Sequence, residues 1–211
     1  MPVTLHVWRV PRRRVAVAMF QLAFPGAHRA SFAKFLGTAD GVSPRDIDLT
    51  RYAAVTVSDA PVILPQWDKL AVARARIDVT PLHSRGTWSG QTPFKADKMR
   101  RDGMMLALTR ARLRPTRAAS FWRAIKPVAA EVDQAPGLLA HFGIGEAPLG
   151  WQGTVSIWRD AADLAGFAYR QPEHRAVIAR TPTDRWYAEE LFARFAVDEI
   201  TGDREVLGWH P

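Results

Sequence analysis

The chain has 211 residues, 47% of them hydrophobic, and carries a formal net charge of +8 at pH 7. This composition is typical of a globular protein with a sizeable core, and the sequence shows neither an apolar run long enough to span a bilayer nor a secretory signal pattern, so we expect a cytoplasmic protein. Because the chain has no cysteine, disulfides, thiolate catalysis and cysteine-ligated metals are excluded, which leaves histidines and carboxylates as metal ligands.

Strands and helices alternate along the first half of the chain. Short runs of alternating apolar and polar residues predict strands, whereas apolar residues three and four positions apart predict helices. Phe32, Phe35 and Leu36 have the helical spacing. The predicted elements are a strand at residues 5–10, a helix at 15–24, a helix within 26–37, a strand at 52–57, a short helix around Trp67 and a strand at 75–82.

The stretch SRGTWSGQTPF, residues 84–94, is rich in glycine and proline. This composition does not suit the interior of a helix or strand, so we predict a loop. Loops that keep Arg and Trp among glycines often line sites, and a plain surface excursion is the alternative interpretation.

The second half repeats the layout of the first. Its predicted elements are a strand at residues 104–113, a helix at 119–129 interrupted or re-angled at Pro127, a strand at 138–144, a strand at 154–158, a helix capped by Asp160, a further helix after Pro172 and a strand at 191–197. Each half therefore has a β-α-β-(α)-β order, which is typical of ferredoxin-like units. We predict an α+β fold in which two ferredoxin-like halves, residues 1–103 and 104–211, pack sheet to sheet within one chain.

His174 has helical spacing with Val177 and Ile178, so its position falls on the apolar face of the last predicted helix. Two interpretations stay open at this point. The imidazole is either a core group bonded to a backbone carbonyl, or it is a metal or haem ligand in apolar surroundings.

Arginines account for most of the positive charge, which is densest at residues 12–14 and 95–101. Neither segment occurs with a helix-turn-helix, zinc-finger or aromatic RNA-binding signature, so a solvated basic face is predicted and nucleic acid is not an expected partner. The eight tryptophans suggest either an aromatic-lined interior or simply a large packed core.

Six blocks resemble one family, and they keep its order over most of the chain. They are residues 32–38 (FAKFLGT), 84–94 (SRGTWSGQTPF), 107–111 (ALTRA), 143–148 (GIGEAP), 154–158 (TVSIW) and 186–195 (WYAEELFARF). Together they are similar to spheroidene monooxygenases. The resemblance implies a dimeric α/β-barrel fold, haem b as cofactor and the insertion of oxygen into an acyclic carotenoid or another apolar substrate.

The resemblance also implies roles for particular residues. His174 is expected to be the iron ligand, with His141 as the rival and His83 as a weaker candidate. Arg85 is expected to donate to an iron-bound oxygen or to a haem propionate, with a salt bridge to a carboxylate as the alternative, and Arg110 is expected to neutralise a propionate. The apolar walls around porphyrin or substrate are expected to be Trp88, Phe94, Phe142 and Trp158.

The partners implied are an apolar small molecule, dioxygen and an electron donor, with peripheral association to a membrane as an additional expectation. The sequence does not indicate an oligomeric state. Other functions stay open at this stage: a haem enzyme with aldoxime dehydratase-like or peroxidase-like chemistry, a cofactor-free monooxygenase, or a haem-binding protein without enzymatic activity.

Overall fold

A computed structural model describes residues 2–25, 29–41, 46–60, 62–97, 101–132, 134–146, 151–170 and 172–210. The strands are β1 (Val3–Arg9), β2 (Phe32–Ala39), β3 (Ile47–Val57), β4 (Ala73–Gly86), β5 (Met105–Leu113), β6 (Leu138–Gly145), β7 (Trp151–Trp158) and β8 (Tyr187–Gly202). The helices are α1 (Val15–Ala23), α2 (Pro65–Leu70), α3 (Ala118–Val132), α4 (Ala161–Arg170) and α5 (Pro172–Asp184).

The eight strands form one closed antiparallel barrel in the order β1-β3-β2-β6-β7-β5-β8-β4. The first four strands are neighbours in the order β4-β1-β3-β2, and the last four repeat it as β8-β5-β7-β6. This is the strand order of a ferredoxin-like unit, so the predicted fold class is confirmed. The exact boundary of two units at Gly103 stays a prediction.

Two seams join the halves, and they differ in length. The β4–β8 seam pairs residues from Ala75 to Gly86 with residues from Gly202 to Leu191, whereas β2 and β6 pair only over Gly37–Ala39 and Gly143–Gly145. Closure at the long β4–β8 seam pairs the hydrogen-bonding groups of two strands that would otherwise be edge strands of open sheets.

Alternate residues of the strands point into the barrel and form its main core. In β5 the inward side chains include Leu106 and Leu108, which are buried with Val155 and Ile157 of β7. Residues between them point outward, toward the helices. The outer face of each half is therefore a separate layer between sheet and helices.

Three expectations from the sequence are wrong in whole or in part. Residues 32–39 form strand β2 rather than a helix, because Phe32 and Leu36 enter the barrel core while Phe35 packs on the outer face. A strand buried on both faces loses the alternation that identifies strands. Helix α3 also runs without interruption from Ala118 to Val132 and includes Pro127.

The third expectation, a loop at residues 84–94, is wrong only for its first three residues, because residues 87–94 lie outside the strands and helices as predicted. Ser84 to Gly86 continue β4 and pair with β8. Gly86 has φ of +89°, and a side chain there would collide with the carbonyl oxygen of Glu190, so the glycine permits close strand pairing rather than marking a loop. The following turn is not a surface excursion, because Trp88 and Phe94 lie in the barrel core.

Asp160 begins α4 as the sequence predicts. Its Oδ1 accepts hydrogen bonds from the backbone N–H groups of Ala162 and Asp163, at 2.8 and 2.9 Å. Within the described residues, no helix combines the length and the apolar character needed to cross a bilayer.

Candidate functional site

A cavity of about 880 Å³ lies on the outer face of the second half. Its floor is the sheet formed by β6, β7, β5 and β8, with the end of β4 beside it, and its roof is formed by α3, α4 and α5. The volume falls within the range typical of small-molecule and cofactor sites.

The floor consists of two rows of side chains that cross the sheet. The strand register places His141, Ser156, Ala107, Arg194 and His83 in one row across β6, β7, β5, β8 and β4. The next row contains Gly143, Thr154, Thr109, Phe192 and Arg85. The centre of the floor therefore carries only small side chains, and three of them are hydroxyls.

These hydroxyls have defined partners. The Oγ1 atoms of Thr109 and Thr154 are 2.7 Å apart, so the two side chains share one hydrogen bond. Ser156 Oγ accepts from the indole N–H of Trp158 at 2.9 Å. Each hydroxyl keeps further capacity to donate or accept, which would let the floor orient a polar atom of a bound molecule.

The roof is mostly apolar. Phe167 of α4 lies over Trp158, with ring centroids 5.2 Å apart, and closes one end of the cavity. Further roof residues are contributed by all three helices: Phe121, Trp122, Ile125, Leu164, Ala168 and Val177. An apolar roof above a hydroxyl floor suits a flat ligand with one apolar face and one face that takes part in polar chemistry.

Positive charge collects at the rim beside β4. The side chain of Arg85 is 68% exposed, its guanidinium lies 5.1 Å from the centre of the Phe192 ring, and its Nη2 is 4.0 Å from Glu190. Arg194 donates to the hydroxyl of Tyr169 at 2.8 Å. Both predicted interpretations of Arg85 remain, because the carboxylate contact is long and the group faces solvent at the cavity edge.

Tyr187 lines the same cavity at its other end. Burial, and then the nearby Glu190 carboxylate, raise the pKa of this phenol above its ordinary value. The hydroxyl therefore stays protonated at every physiological pH and remains available as a hydrogen-bond donor.

Position 174 lies in α5, one turn before Val177 and two turns before Thr181. Val177 and Thr181 both line the cavity, and helical spacing puts position 174 on their face. The side chain of His174 lies outside the described residues, so its role as a ligand stays a prediction. The rivals His141 and His83 also border the cavity, both from the floor.

The predicted site residues do not all meet in one place. Arg85 and Trp158 border the cavity, whereas Arg110 contributes to its lining but has its side chain inside the barrel, 5.8 Å from the ring of Trp88. Trp88, Phe94 and Phe142 lie instead in the barrel core, on the opposite side of the sheet. Trp88 and Phe94 both pack edge-on against Phe32, with centroid distances of 5.6 and 6.3 Å. These three aromatic side chains therefore do not line the cavity. Successive side chains of a strand point to opposite faces of the sheet, so the face that an aromatic residue occupies depends on the register of its strand.

Arg110 points into one end of the barrel, where protein carboxylates bind it. Its Nε and Nη2 lie 3.0 and 2.9 Å from Oε1 of Glu146, and its Nη1 pairs with Glu189. The indole of Trp88 donates to the same Glu146 oxygen at 2.6 Å. The guanidinium thus has two protein carboxylates as partners. Its charge is already balanced, so Arg110 is not expected to neutralise a propionate.

Glu189 is the second carboxylate of this end cluster, and it accepts hydrogen bonds from Thr87, Gly90 and Arg110. Burial alone would raise its pKa, but hydrogen bonds from the Gly90 backbone, Arg110 and Thr87 outweigh burial and lower the pKa to about 2. Glu189 is therefore ionised at neutral pH, as expected for a carboxylate that holds Arg110 in place.

Sequence reasoning missed the hydroxyl floor. The sequence pattern predicts Thr109, Thr154 and Ser156 only as parts of strands. A strand covered by helices normally carries apolar side chains on both faces. A signal for the cavity is present in the sequence. Two neighbouring strands that are covered by helices both carry small or hydroxyl residues at alternate positions.

The described residues contain no group of three or more His, Asp or Glu side chains arranged to hold a metal ion.

Comparison with known proteins gives both close and remote matches. The chain is 32% identical over 182 residues to a spheroidene monooxygenase of Rhodobacter capsulatus, which covers 79% of this chain and 75% of that protein. It is 33% identical over 134 residues to the spheroidene monooxygenase of Rubrivivax gelatinosus, covering 64% of this chain and half of that protein. No family model matches the sequence.

Among solved structures, a crystal structure of aldoxime dehydratase superposes with a TM-score of 0.55 over 94% of this chain and 81% of that one. The sequence identity is 7%, so this similarity concerns the fold alone.

Proposed function

Because the chain belongs to the spheroidene monooxygenase family, we propose that it is a haem b-dependent monooxygenase that inserts oxygen into an apolar, carotenoid-like substrate. The observation that carries the proposal is the cavity of about 880 Å³ on the outer face of the second half. It offers a deep, largely apolar space beside a floor of hydroxyls, as oxygen insertion into a hydrophobic molecule requires.

The cavity lining fits haem in three respects. Helix α5, which contains His174, forms part of the roof and would supply the imidazole that holds the iron. Arg85 and Arg194 lie at the rim and would pair with the two propionates. Trp158 and Phe167 form an aromatic wall against which a porphyrin edge would pack. When bound, haem would supply the iron at which dioxygen is activated, with electrons from a separate donor.

The chain's own side chains would divide the remaining tasks. Thr109, Thr154 and Ser156 would orient a polar atom at the floor through their hydroxyls. The roof helices would exclude water and cover the porphyrin. Tyr187 is protonated at neutral pH, and its hydroxyl would donate a hydrogen bond at the end of the cavity away from Arg85.

Absorption spectroscopy tests the proposal. Protein expressed with a supply of haem is expected to show a Soret band, and the extracted pigment is expected to be b-type, because the sequence has no C-x-x-C-H attachment motif. The variant His83→Ala removes a histidine that borders the cavity but is not the expected ligand, and it is expected to keep the band. Protein that is colourless and still inserts oxygen would contradict haem dependence and indicate a cofactor-free monooxygenase.

A cytoplasmic location is proposed with this function, as is the division of the chain into units at residues 1–103 and 104–211.

A further inference from the structure

Helix α1 exposes an unusual amount of apolar surface. Phe20 and Phe24, at and just beyond its last turn, are each 67% exposed, and Val17 and Met19 are each 52% exposed. The two phenyl rings lie together with centroids 5.0 Å apart. Single exposed apolar residues are ordinary, but four large ones in one short segment indicate a surface that is covered in use.

Helix α1 has almost no polar residues on its solvent-exposed face. Residues 15–25 contain no charged residue, and Gln21 is the one polar side chain among them. Ala18 is buried, and Val15 and Leu22 pack partly against the first-half sheet. A surface helix normally carries charged or polar residues opposite its buried stripe, and α1 carries Val17, Phe20 and Phe24 there instead.

Basic residues adjoin this apolar segment. Arg12, Arg13 and Arg14 form a short 3₁₀ turn that leads directly into α1, and Arg12 and Arg13 are exposed. Arg14 is fixed in place, since its Nη1 donates to the carbonyl oxygens of Lys69 and Leu70. An apolar helix face with clustered arginines at its end is the pattern of an element that lies in the interface of an anionic membrane.

We propose that α1 and the Arg12–Arg14 turn together dock this protein on an anionic lipid surface. The phenyl rings of Phe20 and Phe24 enter the region between headgroups and acyl chains, and Arg12 and Arg13 contact lipid phosphates. Charge favours this occupant over a second copy of the chain, because each copy carries a net charge of +8 and the same arginine triplet. The proposal rests on surface residues of the first half, and it does not depend on whether the cavity of the second half binds haem.

Vesicle flotation with the full chain tests the docking. Wild-type protein is expected to float with vesicles of phosphatidylcholine and phosphatidylglycerol and to bind pure phosphatidylcholine vesicles much less. Phe20→Ser with Phe24→Ser is expected to lower the partition coefficient by about tenfold or more, because two apolar side chains no longer enter the lipid. Arg12→Gln with Arg13→Gln is expected to lower it by roughly fivefold for each arginine.

The matched control is Ile47→Ser with Leu49→Ser. These side chains are also exposed, at 48% and 54%, but they lie at the start of β3 with Asp48 between them. The control is expected to bind vesicles like wild type, with circular dichroism confirming that all variants are folded. Equal binding by wild type and the Phe20/Phe24 variant, or no binding by wild type, overturns the proposal. So does a wild-type dimer, seen by light scattering without lipid, that the Phe20/Phe24 variant converts to a monomer.

Discussion

The outer faces of the two halves show how one fold serves two purposes. On the central strands of the first half, Trp8 and Tyr52 are paired in register, and Trp67 of α2 packs against both, with centroid distances of 5.2 and 5.3 Å. On the central strands of the second half, Thr109 and Thr154 are paired in register instead. The first face is filled with aromatic rings, and the second leaves a cavity of about 880 Å³.

The difference lies in the side chains of the central strands and in the helices that cover them. The strand order is the same in both halves. Large rings fill the space between sheet and helices, so they exclude ligands and stabilise the fold by packing. Small hydroxyl side chains make fewer packing contacts and leave space between the sheet and the helices. The outer face of the first half is therefore filled by packed rings, and the outer face of the second half carries the candidate site.

The largest effect is expected from Trp67→Ala in the filled half. Trp67 is fully buried and contacts the rings of Trp8, Phe35 and Tyr52, so truncation should lower the free energy of unfolding by about 3–5 kcal/mol. Denaturant titration measures this change. Thr109→Ala, on the open face, is the matched comparison and should cost less than about 1.5 kcal/mol. Equal losses from the two variants would remove the distinction between the faces.

Filling the second face should abolish its function without unfolding the protein. Thr109→Trp places a large ring over the floor, in imitation of Trp8, and should weaken haem binding at least about tenfold, a loss of about 1.4 kcal/mol. Thr109→Val, which nearly preserves volume, is the control and should bind haem like wild type. Haem titration followed by absorbance gives the affinities. Undiminished binding by Thr109→Trp would show that haem does not bind above the floor.

One source of acid sensitivity should lie in the filled half. Burial, followed by the positive charge of Arg76, lowers the pKa of His6 to about 4, and the ring stacks on Trp8 at 5.4 Å. Because the unfolded chain binds a proton near pH 6.5 and the folded chain does not, His6 destabilises the protein as pH falls from 6.5 toward 4.

The variant His6→Phe keeps the stacking and cannot titrate. It should lose this part of the pH dependence, roughly 1–3 kcal/mol, since one pKa unit is worth about 1.4 kcal/mol. Unfolding free energies measured from pH 7 to pH 4 give the comparison with wild type. An identical pH profile for both proteins would show that His6 is not the acid-sensitive group.

The smallest effect concerns the shared hydrogen bond of the floor. Thr109→Val and Thr154→Val should each cost about 1 kcal/mol of stability, and the double variant should cost less than their sum, because both remove the same bond of 2.7 Å. A double-mutant cycle of unfolding free energies measures the coupling. Strict additivity would mean that the two hydroxyls do not stabilise one another.

Much of the fold could be predicted from the sequence because most strands alternate and most helices have apolar stripes. Strand β2 could not, since Phe32 and Phe35 are buried on opposite faces and their spacing imitates a helix. The candidate site was predicted less completely. Trp88 and Phe142 are conspicuous aromatic residues, but which side of the sheet they occupy depends on register, and the hydroxyls of Thr109 and Thr154 acquire significance only when β5 and β7 are paired.

The most direct test of the central claim is the Soret absorbance of wild type and His174→Ala at equal protein and haem concentrations. If the cavity beneath α5 holds haem through His174, the variant should lose the Soret band of bound haem while its circular dichroism stays unchanged, and His141→Ala should keep the band. Retention of the band by His174→Ala together with its loss in His141→Ala would contradict the account and move the ligand from the roof of the cavity to its floor.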